Sequence, residues 1–482
     1  MVLPSLGNLT KDRNIKVGEP LGRVTYFEKG RHLILGQRER KGSLDSLILL
    51  GKCFEHTKTH DKFNANVWLD IAFPHVIFLS GTRGSGKSFD IGVIVEGLAL
   101  PPSSAICTEH SPVAALIFDL QNQFWTLSRM PDASLPEDAD QINLLKEWGL
   151  APASVSTVTL LIPPGETKLI GNEEELTLAA SDLTADDLCS FWNTDIYSPQ
   201  GHLVSTILEK VSALGYESVQ TRATGETTKQ QIAPNPQYEI DDLLLCLRTD
   251  QEVQSNITPQ VVDAIDWRLH SLQHSKLFRS KGIPVRRLLG AGRVVVLLLR
   301  SLDDATKALV TGLLLRKIYA VMGEYHTRRK VYRRLQKNLT EADLLPERVW
   351  CIVDEAHVIC PAGHESSATR SLIEYVKQGR DAGLSLVLAT QQPSAIDTRV
   401  LSQVDLTLIH RLTFDGDISA ALARIPAYLP NTFTLGSTQK DPRMMVRLLE
   451  TGEAIVGDSQ ADRTFVGVVR PRLTAHGGAE PK

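Results

Sequence analysis

The stretch HVIFLSGTRGSGKSFDIGVIVEGL, residues 75–98, places a glycine-rich turn between two apolar segments. Its residues 81–88 fit the pattern GxxxxGK[ST], and they lie between a predicted strand and a predicted helix. In such a turn the backbone N–H groups converge on phosphate oxygens, and the helix N-terminus adds partial positive charge. The stretch therefore predicts a nucleotide-binding P-loop; a strand–helix turn without a ligand is the alternative.

The side chains of this turn predict ATP and Mg²⁺ as cofactors. Lys87 is expected to reach the β- and γ-phosphates, and the Ser88 hydroxyl is expected to bind Mg²⁺. The predicted nucleotide contacts within the turn are Gly81, Thr82, Arg83, Gly84, Ser85, Gly86, Lys87, Ser88 and Phe89.

A second apolar run, VWCIVDEAH at 349–357, ends on two carboxylates. Asp354 is predicted to hold the Mg²⁺ shell with Ser88, and Glu355 is predicted to orient and deprotonate the attacking water. A helix N-cap would use the same residue types. The P-loop upstream favours the catalytic interpretation.

The segment EYVKQGRDAGLSLVLATQQPS, residues 374–394, supplies two more candidate catalytic residues. Gln391 follows an apolar strand and is predicted to lie beside the P-loop strand, where it would sense the γ-phosphate through a hydrogen bond. Arg380 precedes that strand and is a candidate arginine finger for the transferred phosphoryl group. A polar strand cap and a surface arginine are the alternatives.

Apolar runs that alternate with helical patterns predict an α/β fold around a parallel sheet. The strand candidates are residues 76–80, 114–119, 157–162, 293–299, 349–354, 384–390 and 406–411. Between the third and fourth candidates, segments with apolar residues at three-to-four spacing predict a helical-bundle insertion. The polar stretch 215–238 inside it is predicted to be a mobile loop.

The chain therefore divides into a P-loop NTPase core with two additions. Short β-like runs predict a small β-domain at the N-terminus. The expected boundaries are 1–70 for this β-domain, 71–164 for the first part of the core, 165–280 for the helical insertion, 281–475 for the rest of the core with a C-terminal extension, and 476–482 for a loose tail.

Composition limits the classes of function. The 482 residues carry a net charge of −4 and are 42% hydrophobic and 22% charged, which is typical of a soluble globular protein. No apolar run approaches membrane-spanning length, so a cytoplasmic protein without membrane partners is expected. The six cysteines form no CxxC pair and predict buried, reduced thiols; the histidines form no HExxH motif, so no structural metal is expected.

The letters DEAH, residues 354–357, also occur in helicases with two tandem RecA-like domains. Such an enzyme requires a second complete domain, whereas the chain after His357 already supplies strands that complete the first sheet. An ABC transporter ATPase is excluded because the chain contains no LSGGQ-like segment.

Several segments together carry a family resemblance: GTRGSGKS, the DEAH strand, GRDAGLSLVLATQQPS, HR at 410–411, LLETGEAIVG and VVRPRLTAHGG. In order and spacing, from about residue 70 to 478, they resemble the HerA-like ATPases of the HerA/FtsK group. The resemblance implies a RecA-like core preceded by a HAS-barrel-like domain. It also implies a homohexameric ring that uses ATP to translocate double-stranded DNA through its pore.

In such rings the nucleotide lies between subunits, so the resemblance implies that Arg380 acts on a neighbouring subunit. Arg411 is a second candidate for that interface. The family implies a separate partner, either a nuclease such as NurA or an effector such as a sirtuin-like NADase, in DNA-end processing or anti-phage defence. An ATP-assembled ring that organises an effector with little translocation is the alternative.

The chain departs from the family pattern after the second strand of the core. Relatives usually carry Asp-x-x-Gly-Glu there, whereas this chain has Asp119-Leu-Gln-Asn-Gln123. A role of that glutamate cannot be transferred. Gln392 also stands where relatives often have arginine.

Two segments are candidates for contacts with DNA or a partner. The resemblance implies that the loop 358–370 faces the pore, with His364 and Arg370 as its plausible phosphate contacts. A basic segment at 325–337 is the second candidate. It predicts a site for phosphate or a partner, or alternatively a solvated helix end. Its cations are Arg328, Arg329, Lys330, Arg333, Arg334 and Lys337.

Overall fold

A computed structural model of the chain describes residues 32–36, 45–56, 62–221, 227–340, 343–435 and 438–477. The strands are β1 (His32–Leu35), β2 (Leu47–His56), β3 (Lys62–Asp70), β4 (Val76–Ser80), β5 (Ala114–Asp119), β6 (Val158–Ile162), β7 (Glu174–Glu175), β8 (Leu178–Ala179), β9 (Tyr216–Thr221), β10 (Thr227–Ile232), β11 (Phe278–Arg279), β12 (Val294–Leu298), β13 (Val349–Val353), β14 (Leu384–Thr390), β15 (Leu406–Ile409), β16 (Phe433–Leu435), β17 (Thr438–Lys440), β18 (Glu453–Asp458) and β19 (Arg463–Val469).

The α-helices of the described residues follow in the same order. They are α1 (Lys87–Ala99), α2 (Pro136–Glu147), α3 (Ala185–Phe191), α4 (Pro199–Glu209), α5 (Ile240–Thr249), α6 (Gln251–Asn256), α7 (Pro259–His274), α8 (Val285–Leu288), α9 (Asp304–Arg334), α10 (Ala356–Ile359), α11 (Thr369–Gln378), α12 (Asp415–Leu422) and α13 (Pro442–Leu448).

Thirteen of the described strands form one mixed sheet in the order β1-β3-β2-β19-β18-β15-β4-β14-β13-β5-β12-β6-β7, and the other six form three two-stranded sheets. From β15 to β7 all neighbours are parallel, and all seven predicted strand candidates lie in this part, which confirms those predictions. The runs are apolar throughout because both faces are covered. On β13, for example, Cys351 faces one hydrophobic cluster while Trp350 and Ile352 face the other.

A separate HAS-barrel-like domain is not confirmed. In the described part of the first 70 residues, β1, β2 and β3 extend the central sheet, since β2 pairs antiparallel with β19. Their apolar side chains share a hydrophobic cluster with Ile77 and Leu79 of β4. Residues 1–31, 37–44 and 57–61 lie outside the described residues, as do residues 478–482 of the predicted tail 476–482.

The segment between β6 and β12 contains α3 to α8, and its buried residues belong to the same hydrophobic cluster as those of α9. The prediction of a loop at 215–238 is wrong, because β9 and β10 pair as an antiparallel hairpin. The side chains of β10 are almost all exposed, so the strand needs no apolar pattern. The first α-helix of the insertion begins at Ala185, where Thr184 and Asp187 form a capping box.

The cysteines lie inside the protein, as predicted. All six are buried free thiols. None of the helices in the described ranges is both long and apolar enough to cross a membrane.

The C-terminal segment is bound to the P-loop helix α1 through buried charges. Arg470 and Glu96, both fully buried, form an ion pair of 2.8 Å, and the same carboxylate accepts hydrogen bonds from the backbone N–H groups of Leu473 and Thr474. Arg472 crosses α1 so closely that a Cβ on Gly92 would lie 2.3 Å from its Nε. Because removal of one partner would leave a buried charge uncompensated, these contacts fix the segment against the helix.

Candidate nucleotide-binding site

The glycine-rich turn follows β4 directly and ends where α1 begins at Lys87. Gly86 has φ 130°, a backbone conformation that side-chain-bearing residues rarely adopt. Gly81 has no room for a side chain, because a Cβ there would lie 2.4 Å from Ser85 Oγ and 2.7 Å from His410 Cβ. The turn is therefore a tight concave loop with its N–H groups at the start of a helix, the geometry that binds phosphate.

The residues that follow β15 brace this loop. The carbonyl oxygen of Arg411 accepts hydrogen bonds from the backbone N–H of Thr82 at 2.9 Å and from its hydroxyl at 3.2 Å. Fully buried His410 lies 2.6 Å from Asp90 Oδ2 through Nε2 and 2.8 Å from the carbonyl oxygen of Glu453 through Nδ1. These contacts join the loop and the first turn of α1 to the neighbouring strand.

Lys87 lies buried above the loop. Its ammonium group donates hydrogen bonds to the carbonyl oxygens of Gly81 at 2.8 Å and Thr82 at 3.0 Å. Burial lowers the pKa of Lys87, and the nearby carboxylates of Glu355 and Asp354 oppose that shift. The cation is therefore held at the mouth of the loop and beside both carboxylates.

Asp354 lies at the end of β13 and is 1% exposed. Burial, followed by the charges of Glu355 and Asp119, raises the pKa of Asp354 to about 8, while Lys87 acts in the opposite direction. A divalent cation at this carboxylate would favour its charged form. The Ser88 hydroxyl and the Asp354 carboxylate are hard oxygen ligands of the type Mg²⁺ takes, with water and phosphate oxygens completing its shell. The residues present therefore fit the ion.

Glu355, next along the chain, is 5% exposed and has φ 49°. Its Oε1 accepts hydrogen bonds from the side-chain amides of Gln391 and, at 2.8 Å, Gln121. Its Oε2 is buried without a hydrogen-bond partner among the described residues, with His357 Nδ1 3.5 Å away.

Gln391 lies where the sequence predicts it, since β14 pairs in parallel with the P-loop strand β4. Its amide, however, contacts Glu355. Gln121 is a residue of this site that the sequence does not predict. It precedes Glu355 by 234 residues, and a polar side chain in a loop gives no signal of such a contact.

The loop 119–124 contains the residues that depart from the pattern Asp-x-x-Gly-Glu. Buried Asp119 accepts backbone hydrogen bonds from Gln121, Gln123 and Phe124 at 2.7–3.1 Å, and burial raises its pKa to about 6. Asn122, at the position of the family glycine, has φ 57°, a conformation that asparagine tolerates well. Gln123, at the position of the glutamate, donates its amide to Gln121 Oε1 at 2.7 Å.

Arg380 lies at the amino-terminal ends of the parallel strands, whereas the P-loop lies at their carboxyl-terminal ends. It precedes β14, whose first residues align with the start of β4, whereas the P-loop follows the end of β4. Its side chain is 53% exposed and 3.9 Å from Asp405. Arg411 lies beside the P-loop with an exposed side chain. Of the two arginines, only Arg411 adjoins the nucleotide loop of its own chain.

The candidate contacts for DNA or a partner are partly neutralised. Arg370 forms an ion pair with Asp186 at 3.0 Å, whereas His364 is exposed. At the end of α9, Arg328 pairs with Asp343 and Arg329 pairs with Glu347. The other cations of that segment are exposed: Lys330, Arg333, Arg334 and Lys337.

The family described as helicase HerA, central domain, matches residues 61–318, more than half of the chain and including the whole P-loop. The chain belongs to this family. Curated relatives are double-strand break repair helicases HerA: 28% identity over 134 residues for Pyrococcus furiosus, and 26% over 166 residues for Sulfurisphaera tokodaii.

These alignments cover 25% and 34% of this chain. The chain spans 24% and 29% of the length of the two relatives. Among solved structures, the plasmid coupling protein TrwB in complex with ADP and Mg²⁺ is similar, with a TM-score of 0.50, 12% identity, and coverage of 92% of this chain and 99% of that one. At this identity the likeness shows the fold, a P-loop ATPase fold with a large mixed sheet.

The contact between His410 and Asp90 generates a prediction. Substitution His410→Ala would leave buried Asp90 without this partner and loosen the first turn of α1. We expect the affinity for an ATP analogue to fall about tenfold or more, the worth of one buried hydrogen bond to a charged group. Fluorescence titration with a labelled nucleotide measures this affinity, with His202→Ala, at an exposed position of α4, as the matched control. If His410→Ala binds the analogue as tightly as the wild type, the contact between His410 and Asp90 does not shape the site.

Proposed function

We propose that the protein is an ATP-driven motor on double-stranded DNA that works as a homohexameric ring with a separate nuclease or effector protein. The observation that carries the proposal is the meeting of Lys87, Asp354 and Glu355 at one edge of the parallel sheet. A phosphate loop, an ammonium group and two strand-end carboxylates are the parts that phosphoryl transfer from ATP requires. DNA-end processing or anti-phage defence is the proposed setting.

The side chains of this chain divide the chemistry between them. Lys87 exchanges the carbonyl oxygens of Gly81 and Thr82 for the β- and γ-phosphates of ATP. Ser88 and Asp354 hold Mg²⁺, which supplies positive charge to the phosphate oxygens when it is bound. Glu355 takes a proton from water as the water oxygen bonds to the γ-phosphorus and the bond to the β–γ bridging oxygen breaks.

The arginines provide an argument for a ring. Arg380 lies before the amino-terminal end of β14. The P-loop of the same chain lies beyond the carboxyl-terminal ends of the strands, so the length of β14 separates the two. A closed ring of head-to-tail contacts brings different surfaces of neighbouring subunits together. Because the Arg380 side chain is exposed, it can contact the nucleotide of the next subunit in such a ring. Arg411 is a second candidate for this role.

The proposed grip on DNA depends on few cations. The net charge is −4, and Arg370 of the proposed pore loop is paired with Asp186. Backbone amides of 358–370 together with His364 would then carry most of the phosphate contacts in the pore. The exposed cations at the end of α9 are a second proposed site for phosphate or a partner.

The proposal is tested by the steady-state ATPase activity of the purified chain with and without linear duplex DNA. We expect several-fold stimulation by DNA, and we expect Lys87→Ala to abolish turnover because the ammonium group stabilises charge on the phosphates. The Lys87→Ala variant is also the blank for contaminating activity. Turnover unchanged in Lys87→Ala would refute the assignment of the site. A modest rate indifferent to DNA would refute the motor and favour an ATP-assembled platform for an effector.

Action between subunits is tested by mixing two inactive variants. Arg380→Ala retains a complete P-loop, and Lys87→Ala retains the arginine. If Arg380 serves the neighbouring nucleotide, mixed rings contain some complete sites and recover part of the ATPase activity. Mixtures across several ratios are compared with each variant alone, and absence of recovery at every ratio would contradict the proposal.

A further inference from the structure

Among the described residues, the carboxylate of Glu355 is hydrogen-bonded through one oxygen, and His357 Nδ1 lies 3.5 Å from the other. Oε1 accepts hydrogen bonds from two amides, those of Gln121 and Gln391, which reach it from the ends of the two strands flanking β13. Oε2 is buried and has no hydrogen-bond partner within the described ranges. A buried acceptor without a partner is costly, so such an atom in a native site calls for a ligand.

The orientation of Gln121 is determined by its own neighbours. Its Oε1 accepts the amide of Gln123 at 2.7 Å, so its NH₂ group faces Glu355 at 2.8 Å. An amide has one oxygen and one nitrogen, and these contacts leave a single orientation that satisfies both ends. Below them, Asp119 fixes the backbone of both glutamines through their N–H groups. Side-chain hydrogen bonds thus join Gln123 to Gln121 and Gln121 to Glu355, a chain that we call the relay.

We propose that Gln121 is a positioning residue for hydrolysis: it fixes Oε1 of Glu355 so that Oε2 faces the attacking water. The inference rests on the proposed function, since it requires Glu355 to be the base. Two donors on one oxygen remove the rotation of the carboxylate, which is free in a side chain held by a single contact. Gln123 acts one step further back, by holding the amide of Gln121 in the orientation that donates.

The relay is sensitive to chemistry as well as to size. In Gln121→Met the side chain keeps its length but donates nothing to Glu355. In Gln123→Glu the new carboxylate can only accept, so Gln121 must turn its NH₂ group toward it and present its oxygen to Glu355. Both changes disturb the same carboxylate while leaving the P-loop and Lys87 untouched. The matched controls are Gln260→Met and Gln260→Glu, both at an exposed position of α7.

The experiment measures kcat, KM for MgATP and nucleotide affinity of the full chain. We expect kcat to fall about tenfold in Gln121→Met and in Gln123→Glu, the effect of losing one orienting hydrogen bond in a site. KM and affinity should stay within about twofold, because neither glutamine is expected to contact the nucleotide. The Gln260 variants should match the wild type. A kcat within twofold of the wild type in both relay variants overturns the inference.

A double-mutant cycle separates positioning from a general structural effect. Single-turnover hydrolysis is compared for Glu355→Gln with and without Gln121→Met. If Gln121 acts through Glu355, the second substitution adds nothing; an equal further loss in that background overturns the inference. Should Gln121→Met fail to fold, as judged by nucleotide affinity, Gln123→Glu carries the same cycle. Wild-type turnover no greater than that of Lys87→Ala would overturn the proposed function, and with it any role in positioning.

Discussion

The hydrogen bonds between the P-loop and the end of β15 are the contacts on which the site depends. Thr82 is bound to the Arg411 carbonyl, and Asp90 in the first turn of α1 is bound to His410. A glycine-rich turn has many accessible conformations, so its concave shape must be imposed by its surroundings. A further hydrogen bond, from the N–H of Gly452 to the Ser85 carbonyl at 3.1 Å, also holds the turn.

Burial makes the charges of Lys87 and Asp354 depend on each other. The parallel sheet is covered on both faces, so charged groups at its carboxyl edge lie largely out of water. Burial raises the pKa of Asp354 and lowers that of Lys87, and each group lessens the shift of the other. The site is therefore prepared for a ligand that brings both phosphate and a divalent cation. Such a ligand would be expected to stabilise the protein as well as react in it.

The parts of the fold that the sequence predicted are those with a local signal. The strands of the parallel sheet are continuous apolar runs because both faces are buried, and Lys87, Asp354 and Glu355 follow the ends of such runs. Contacts between distant segments carry no such signal. Gln121 meets Glu355 only because β5 and β13 are neighbours, and Arg470 binds the Leu49 carbonyl across 421 residues. The joining of β2 to the central sheet could not be predicted for the same reason.

The most direct test of the central claim is an experimental structure of the protein with Mg²⁺ and a slowly hydrolysed ATP analogue. We expect the γ-phosphate to lie in the turn at 81–88, Lys87 Nζ to move from the Gly81 and Thr82 carbonyls to phosphate oxygens, and Ser88 and Asp354 to hold Mg²⁺. We also expect a water molecule beside Glu355 Oε2. A nucleotide bound elsewhere, or Lys87 still bonded to the loop carbonyls with the analogue in place, would contradict the proposed site.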